Sequence, residues 1–139
     1  MICAMYAVID TNVIVASLKT RRHDSATARV MDAVYSGQVI PLVNSEILAE
    51  YRDVLNRPHL KLDSAKCEYI NALIADLAEQ FAPVPTDATM PDEDDRVFFE
   101  MALAGQEIAE TRLVTGNMKH FPPDDIVVSP AEFCDMLGL

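Results

Sequence analysis

The stretch Ala7-Val8-Ile9-Asp10-Thr11-Asn12 decides how this chain is read. An apolar run climbs from Met5 to Ile9 and stops at a carboxylate, with an amide side chain two residues later. The run predicts a buried strand. A carboxylate at the end of a buried strand is costly unless a partner such as a cation answers it. Open α/β sheets bind their ligands at the carboxyl ends of their strands. Asp10 is therefore the first candidate site residue, and further acids are to be sought where other strands end.

Outward from this strand, the pattern alternates strand and helix. Arg21-Arg22-His23-Asp24 is a polar connector, and Asp24 is placed to cap a helix running to about Tyr35. Thr27, Val30, Met31 and Val34 give that helix one apolar face, and Gly37 fits its end. Val39–Val43 predicts a second strand, in which Pro41 argues for irregularity or an edge position. Asn44-Ser45 caps a helix through Leu55, and Pro58 blocks its continuation. A third helix is expected from about Ser64 to Phe81, with Ile70, Leu73, Ile74, Leu77 and Phe81 at helical spacing. Residues 82–85 suit a short edge strand. The run Asp92-Glu93-Asp94-Asp95 opens a helix that carries Phe98, Met101 and Ala102 and weakens at Gly105. Residues 112–115 and 126–128 read as the last two strands. Ser129-Pro130-Ala131-Glu132 is a capping box with proline at the first helical position, so a final helix follows to Leu137. This rhythm predicts an α/β fold, a mainly parallel sheet of four to five strands with helices on both faces, in one domain over residues 1–139.

Composition narrows the function classes. The 139 residues are 50% hydrophobic and 24% charged, which suits a globular domain with a real core. No apolar run approaches the ~20 residues of a membrane span, and no signal peptide is visible, so a cytoplasmic protein is expected. Cys3, Cys67 and Cys134 are too few and too scattered for a disulfide framework and read as spectator thiols. The net charge is −11. Eight of the eleven Lys and Arg residues lie at or before Lys66, whereas fourteen acids follow from Asp76 onward. Such a chain is not a general nucleic-acid binder. It can hold a polyanion if divalent metal neutralises an acidic cleft and basic residues line one rim.

The acids recur where strands end or helices begin. Glu46 and Glu50 lie four apart on one side of the second helix. Asp92 to Asp95 precede or begin another helix, and Asn117 stands just past a strand end. Hard divalent cations such as Mg²⁺ and Mn²⁺ prefer oxygen ligands of this kind. Each element alone also fits a turn, a cap or a solvated helix start. Their joint order is what carries the reading.

In that joint order the chain resembles a PIN domain, in the branch of VapC-like toxins of toxin–antitoxin pairs. Residues 8–13 resemble the opening motif, residues 45–58 the second, residues 92–102 the third and residues 113–116 the fourth. The resemblance implies a three-layer α/β/α fold and a Mg²⁺- or Mn²⁺-dependent ribonuclease. It places the catalytic and metal-holding acids on Asp10, Glu50 and Asp95, with Asp92 and Asn117 as accompanying ligands. Many relatives carry Asp where this chain has Asn117, so one well-held ion is expected, with a second joining alongside substrate phosphate. Asn12, Ser45 and Thr115 are candidates to orient the carboxylates or a water. Arg21, Arg22 and Lys19, in the loop after the first strand, and Lys119 and His120 are candidate RNA contacts. The family also implies an antitoxin partner that inserts a basic segment near the acidic pocket, and homodimers are common in it.

Rival functions stay open at this stage. One is an RNA-processing nuclease that is not a toxin; another is a PIN-fold binding module with weak or no catalysis, for which Asn117 is the hint. A phosphatase using Asp10 as phosphoryl acceptor is disfavoured. Haloacid-dehalogenase-type phosphatases need Asp two residues after the nucleophile, where this chain has Asn12, and a receiver domain needs an early acidic pair that Met5-Tyr6 does not supply.

Overall fold

The computed structural model describes residues 5–139. Among these, five strands form one sheet: β1 (Met5–Ile9), β2 (Val39–Val43), β3 (Glu79–Gln80), β4 (Thr111–Val114) and β5 (Val127–Val128). Their order is β3-β2-β1-β4-β5, and every pairing is parallel. Six helices connect them: α1 (Thr11–Lys19), α2 (Ala26–Tyr35), α3 (Ser45–Leu55), α4 (Ser64–Leu77), α5 (Arg96–Gln106) and α6 (Pro130–Leu137). The result is the expected three-layer α/β/α architecture. A parallel sheet is covered on both faces, which is why β1 reads as an unbroken apolar run; Ala7 and Val8 are fully buried. Among the described residues no helix is long and apolar enough to cross a membrane.

Where the structure departs from the sequence-based expectation, packing explains the difference. Residues 11–19, expected as a loop, form α1. The β-branched run Val13-Ile14-Val15 has poor helix propensity, and burial of Val13 and Ile14 overrides it. Ser25 caps α2 by accepting from the Ala28 amide at 3.3 Å, while Asp24 pairs with Arg22. The helix expected to reach Phe81 stops at Leu77, because Glu79 and Gln80 pair with Leu42 and Val43 as the edge strand. Phe81 packs edge-on against Tyr6, with ring centroids 5.7 Å apart, and residues 82–85 form no strand. Pro41 sits in a strand with neighbours on both sides, yet β3 covers only Leu42 and Val43, so Pro41 pairs with β1 alone. α5 ends at Gln106, one residue past Gly105, and the glycine also allows close approach to the sheet, since a Cβ there would collide with the Leu42 side chain and stand 2.7 Å from Thr111 Oγ1.

Other expectations hold. Asn44 caps α3 by accepting from the Ile47 amide at 2.8 Å. The Ser129–Glu132 capping box is complete, with Pro130 opening α6. Cys67 and Cys134 are free and buried, and Cys3 lies outside the described residues.

The strand order locates the site. From β1 the chain builds outward through β2 and β3, then returns to add β4 and β5 on the other side. The reversal falls between β1 and β4, which is where open α/β sheets leave a crevice beyond their carboxyl ends. Ile9 lies opposite Val114 in the register, so Asp10 and Thr115 leave the sheet side by side.

Candidate active site

Asp10 ends β1 and precedes α1, and it is only 7% exposed. Its amide donates to the Val114 carbonyl at 2.9 Å, which continues the ladder by one residue. Its Oδ2 accepts from Thr115 Oγ1 at 2.7 Å and from Asn12 Nδ2 at 3.0 Å. Thr115 is fully buried and its hydroxyl also accepts from the Asn117 amide. Asn12 in turn accepts from the Gly116 amide at 3.0 Å. Two of the three expected orienting residues, Asn12 and Thr115, thus bear directly on Asp10. The third, Ser45, is an exposed first residue of α3, where Asn44 provides the cap.

Glu50 projects from the middle of α3 and its Oε2 accepts from Thr11 Oγ1 at 2.9 Å. Thr11 opens α1 and is itself buried, so Glu50 is tied to the residue next to Asp10. Thr11 gives no signal in the sequence pattern, which shows no helix over residues 11–19; only a helix starting there makes its hydroxyl a candidate. Glu46, one turn earlier on α3, is exposed.

Asp95 stands at the start of α5, its side chain 20% exposed. Neighbouring Arg96 spends its guanidinium on Glu93 and on the carbonyls of Thr86 and Ala88, and so leaves Asp95 unanswered. Among the described residues the basic group paired with it is His120, whose Nδ1 lies 3.7 Å from Asp95 Oδ2. Asn117 Nδ2 stands 3.0 Å from His120 Nε2, which links the loop after β4 to the ring that faces Asp95. Asp92 caps the turn before α5 by accepting from the Asp94 amide at 3.0 Å.

Electrostatics joins these groups into one cluster. Burial, followed by the charges of Asp10 and Asp92 and, more weakly, Glu50, pushes Asp95 up to about 6, against the relief offered by His120. Burial also pushes Asp10 above the ordinary carboxylate range, opposed by the Thr115 hydroxyl, the first amides of α1 and His120. Acids from β1, α3 and α5 therefore feel one another at the switch point.

Among the described residues, no three His, Cys, Asp or Glu side chains stand close enough to enclose a metal ion as they are oriented here. The donor set nevertheless fits one. It consists of hard carboxylate and amide oxygens, burial raises the carboxyls of Asp10 and Asp95, and Glu50 is turned toward a hydroxyl that a cation can displace. The basic residues divide. Lys119 and His120 lie on the turn directly after Asn117. Lys19 ends α1, and Arg21 and Arg22 follow it, so they sit at the far end of that helix, roughly 13 Å along its axis from Asp10. Arg22 is engaged with Asp24 at 3.3 Å. The groove of about 360 Å³ between α3 and α4, lined by Leu48, Arg52, Glu68 and Asn71 among others, contains none of these acids.

No curated protein and no solved structure matches the chain significantly. The family model for the PIN domain matches residues 6–119, from the second residue of β1 to the turn after β4, and so takes in Asp10, Glu50 and Asp95. With most of its length matched and with the parallel five-stranded sheet in place, this chain belongs to the PIN domain family, whose members are generally nucleases.

Proposed function

We propose that this protein is a Mg²⁺- or Mn²⁺-dependent endoribonuclease, the toxin of a type II toxin–antitoxin pair. The observation that carries the nuclease reading is the gathering of acids from β1, α3 and the start of α5 beyond the end of the sheet, with Thr115 and Asn12 bonded to Asp10 and Thr11 to Glu50. There burial, then the charges of Asp10 and Asp92, push the Asp95 carboxyl up to about 6, and among the described residues the half-exposed His120 is its one close basic group. Such a cluster is unfavourable alone and favourable around a divalent cation.

In this reading Asp10, Glu50 and Asp95 hold the ion, and the Asp92 carboxylate and Asn117 amide oxygen assist. A bound divalent cation supplies an acidified attacking water and stabilises the charge that develops on the phosphodiester. The chain's own residues do the positioning. Thr115 and Asn12 hold Asp10 Oδ2 in one orientation, and Thr11 does the same for Glu50. Lys119 and His120 take the RNA backbone phosphate. Arg21 and Arg22 extend the contact to a more distant part of the strand.

The toxin assignment rests on the VapC-like motifs and on the acidic second half of the chain, which suits a basic antitoxin segment placed against Asp10 and Asp95. A second reading, a binding module with weak catalysis, draws on the neutral Asn117 and on carboxylates that do not yet enclose an ion. Induction of the protein alone in cells, alongside a cleavage assay on purified protein, separates these readings. Growth arrest and Mn²⁺-dependent RNA cleavage are expected, and Asp10→Asn or Asp95→Asn should reduce cleavage at least about 100-fold. Full activity in either variant would remove the assigned site. Cleavage without growth arrest would point to an RNA-processing role.

A further inference from the structure

One buried side chain touches all three elements that carry the acids. Tyr51 follows Glu50 on α3 and is 1% exposed. Its hydroxyl donates to the carbonyl of Ile9 at 2.5 Å, the residue immediately before Asp10. Its ring packs against Phe98, with centroids 6.3 Å apart, and Phe98 lies in the first turn of α5, three residues after Asp95. The sheet does not make this tie. The β1–β2 register runs from Met5 opposite Val39 to Ala7 opposite Pro41, and Tyr51 adds a tie from α3 to the residue that ends β1. A hydroxyl in an apolar interior costs free energy unless it is bonded, and phenylalanine would fill nearly the same volume. The hydroxyl is therefore a placement device rather than a packing one.

We infer that Tyr51 is a positioning residue that sets the spacing of Asp10, Glu50 and Asp95 for a divalent cation. The inference rests on those three acids being the metal site. The Tyr51 phenol is a neutral donor, so its bond to the Ile9 carbonyl brings no further charge to the acids. Loss of that bond lets the middle of α3 and the end of β1 drift apart, and two acids move with them. Groups that orient metal ligands from behind typically cost 10–100-fold in metal affinity or activity when removed.

The test is Tyr51→Phe, compared with wild type and with Ile74→Val, a buried change on α4 that loosens the core away from the acids. Mn²⁺ titration calorimetry gives the primary readout. Tyr51→Phe should unfold cooperatively, bind Mn²⁺ about 10–100-fold more weakly and lose kcat on RNA, with KM held within about twofold. Raising Mn²⁺ should restore much of the rate. Ile74→Val should lower Tm without moving the Mn²⁺ affinity. Phe98→Leu, which loosens the ring contact from the α5 side, should shift the affinity in the same direction as Tyr51→Phe. Wild-type Mn²⁺ affinity in both Tyr51→Phe and Phe98→Leu would overturn the inference while leaving the metal site standing. Absence of Mn²⁺ binding by the wild-type protein would overturn the site and the inference together.

Discussion

Asp10 and Asp95 occupy the same cluster but are built in opposite ways. Asp10, at the end of a central strand, is 7% exposed and accepts from two side chains that are themselves held in place. Asp95, at the start of a helix, has no such collar; it faces three other acids and one histidine at 3.7 Å. The contrast shows two ways of keeping an acid at a functional site. One is fixed by hydrogen bonds that would be wasteful elsewhere, and the other is left electrostatically unsatisfied. In the proposed nuclease Asp10 is the fixed ligand, and Asp95 is the ligand whose repulsion by neighbouring acids the cation relieves.

That contrast is open to attack from either side. The larger effect should come from the Asp10 side. Thr115→Val keeps the shape of a fully buried side chain but removes the 2.7 Å donor to Asp10. It should lower stability by about 1–3 kcal/mol, because a buried acceptor loses a partner. It should also weaken Mn²⁺ binding about 10–100-fold. Chemical denaturation and metal titration measure the two losses separately. Unchanged metal affinity would mean that the Thr115 bond serves folding alone.

The smaller effect belongs to Asp95. Its folded carboxyl is raised from the usual 3.8 to about 6, so folding favours its protonated form. The stability it contributes is complete below the unfolded value and is lost as pH rises through about 6. Asp10 shifts in the same direction. Metal-free protein should therefore gain thermal stability as pH falls from 7.5 toward 5.5. Asp95→Asn should flatten that gain and raise the metal-free Tm at pH 7.5 by roughly 2–4 °C. A Tm that falls steadily over this pH range would show that Asp95 is not under strain.

Much of the fold is legible in the sequence because strand ends and helix caps are local signals. The run ending at Asp10, the Asn44 cap and the Ser129–Glu132 box each lie within a few residues and reappear as read. The errors arise where distant contacts decide. α1 forms from β-branched residues because the core buries Val13 and Ile14. Apolar spacing carries on to Phe81, yet Glu79 and Gln80 leave the helix to pair with β2. The acids of the candidate site stand out in the sequence as a set of motifs. What ties them together does not: Thr11 reaches Glu50 across 39 residues, and Tyr51 reaches Ile9 across 42. The far-end position of Lys19, Arg21 and Arg22 likewise follows from α1, which the sequence pattern hid.

The central claim is that Asp10, Glu50 and Asp95 form a divalent-cation site. Titration of the wild-type protein with Mn²⁺ in a calorimeter at pH 7.5 and again at pH 5 tests it most directly. The account predicts saturable binding at pH 7.5 that weakens markedly at pH 5, where Asp95 is mostly protonated. No binding at millimolar Mn²⁺ at pH 7.5 would contradict it.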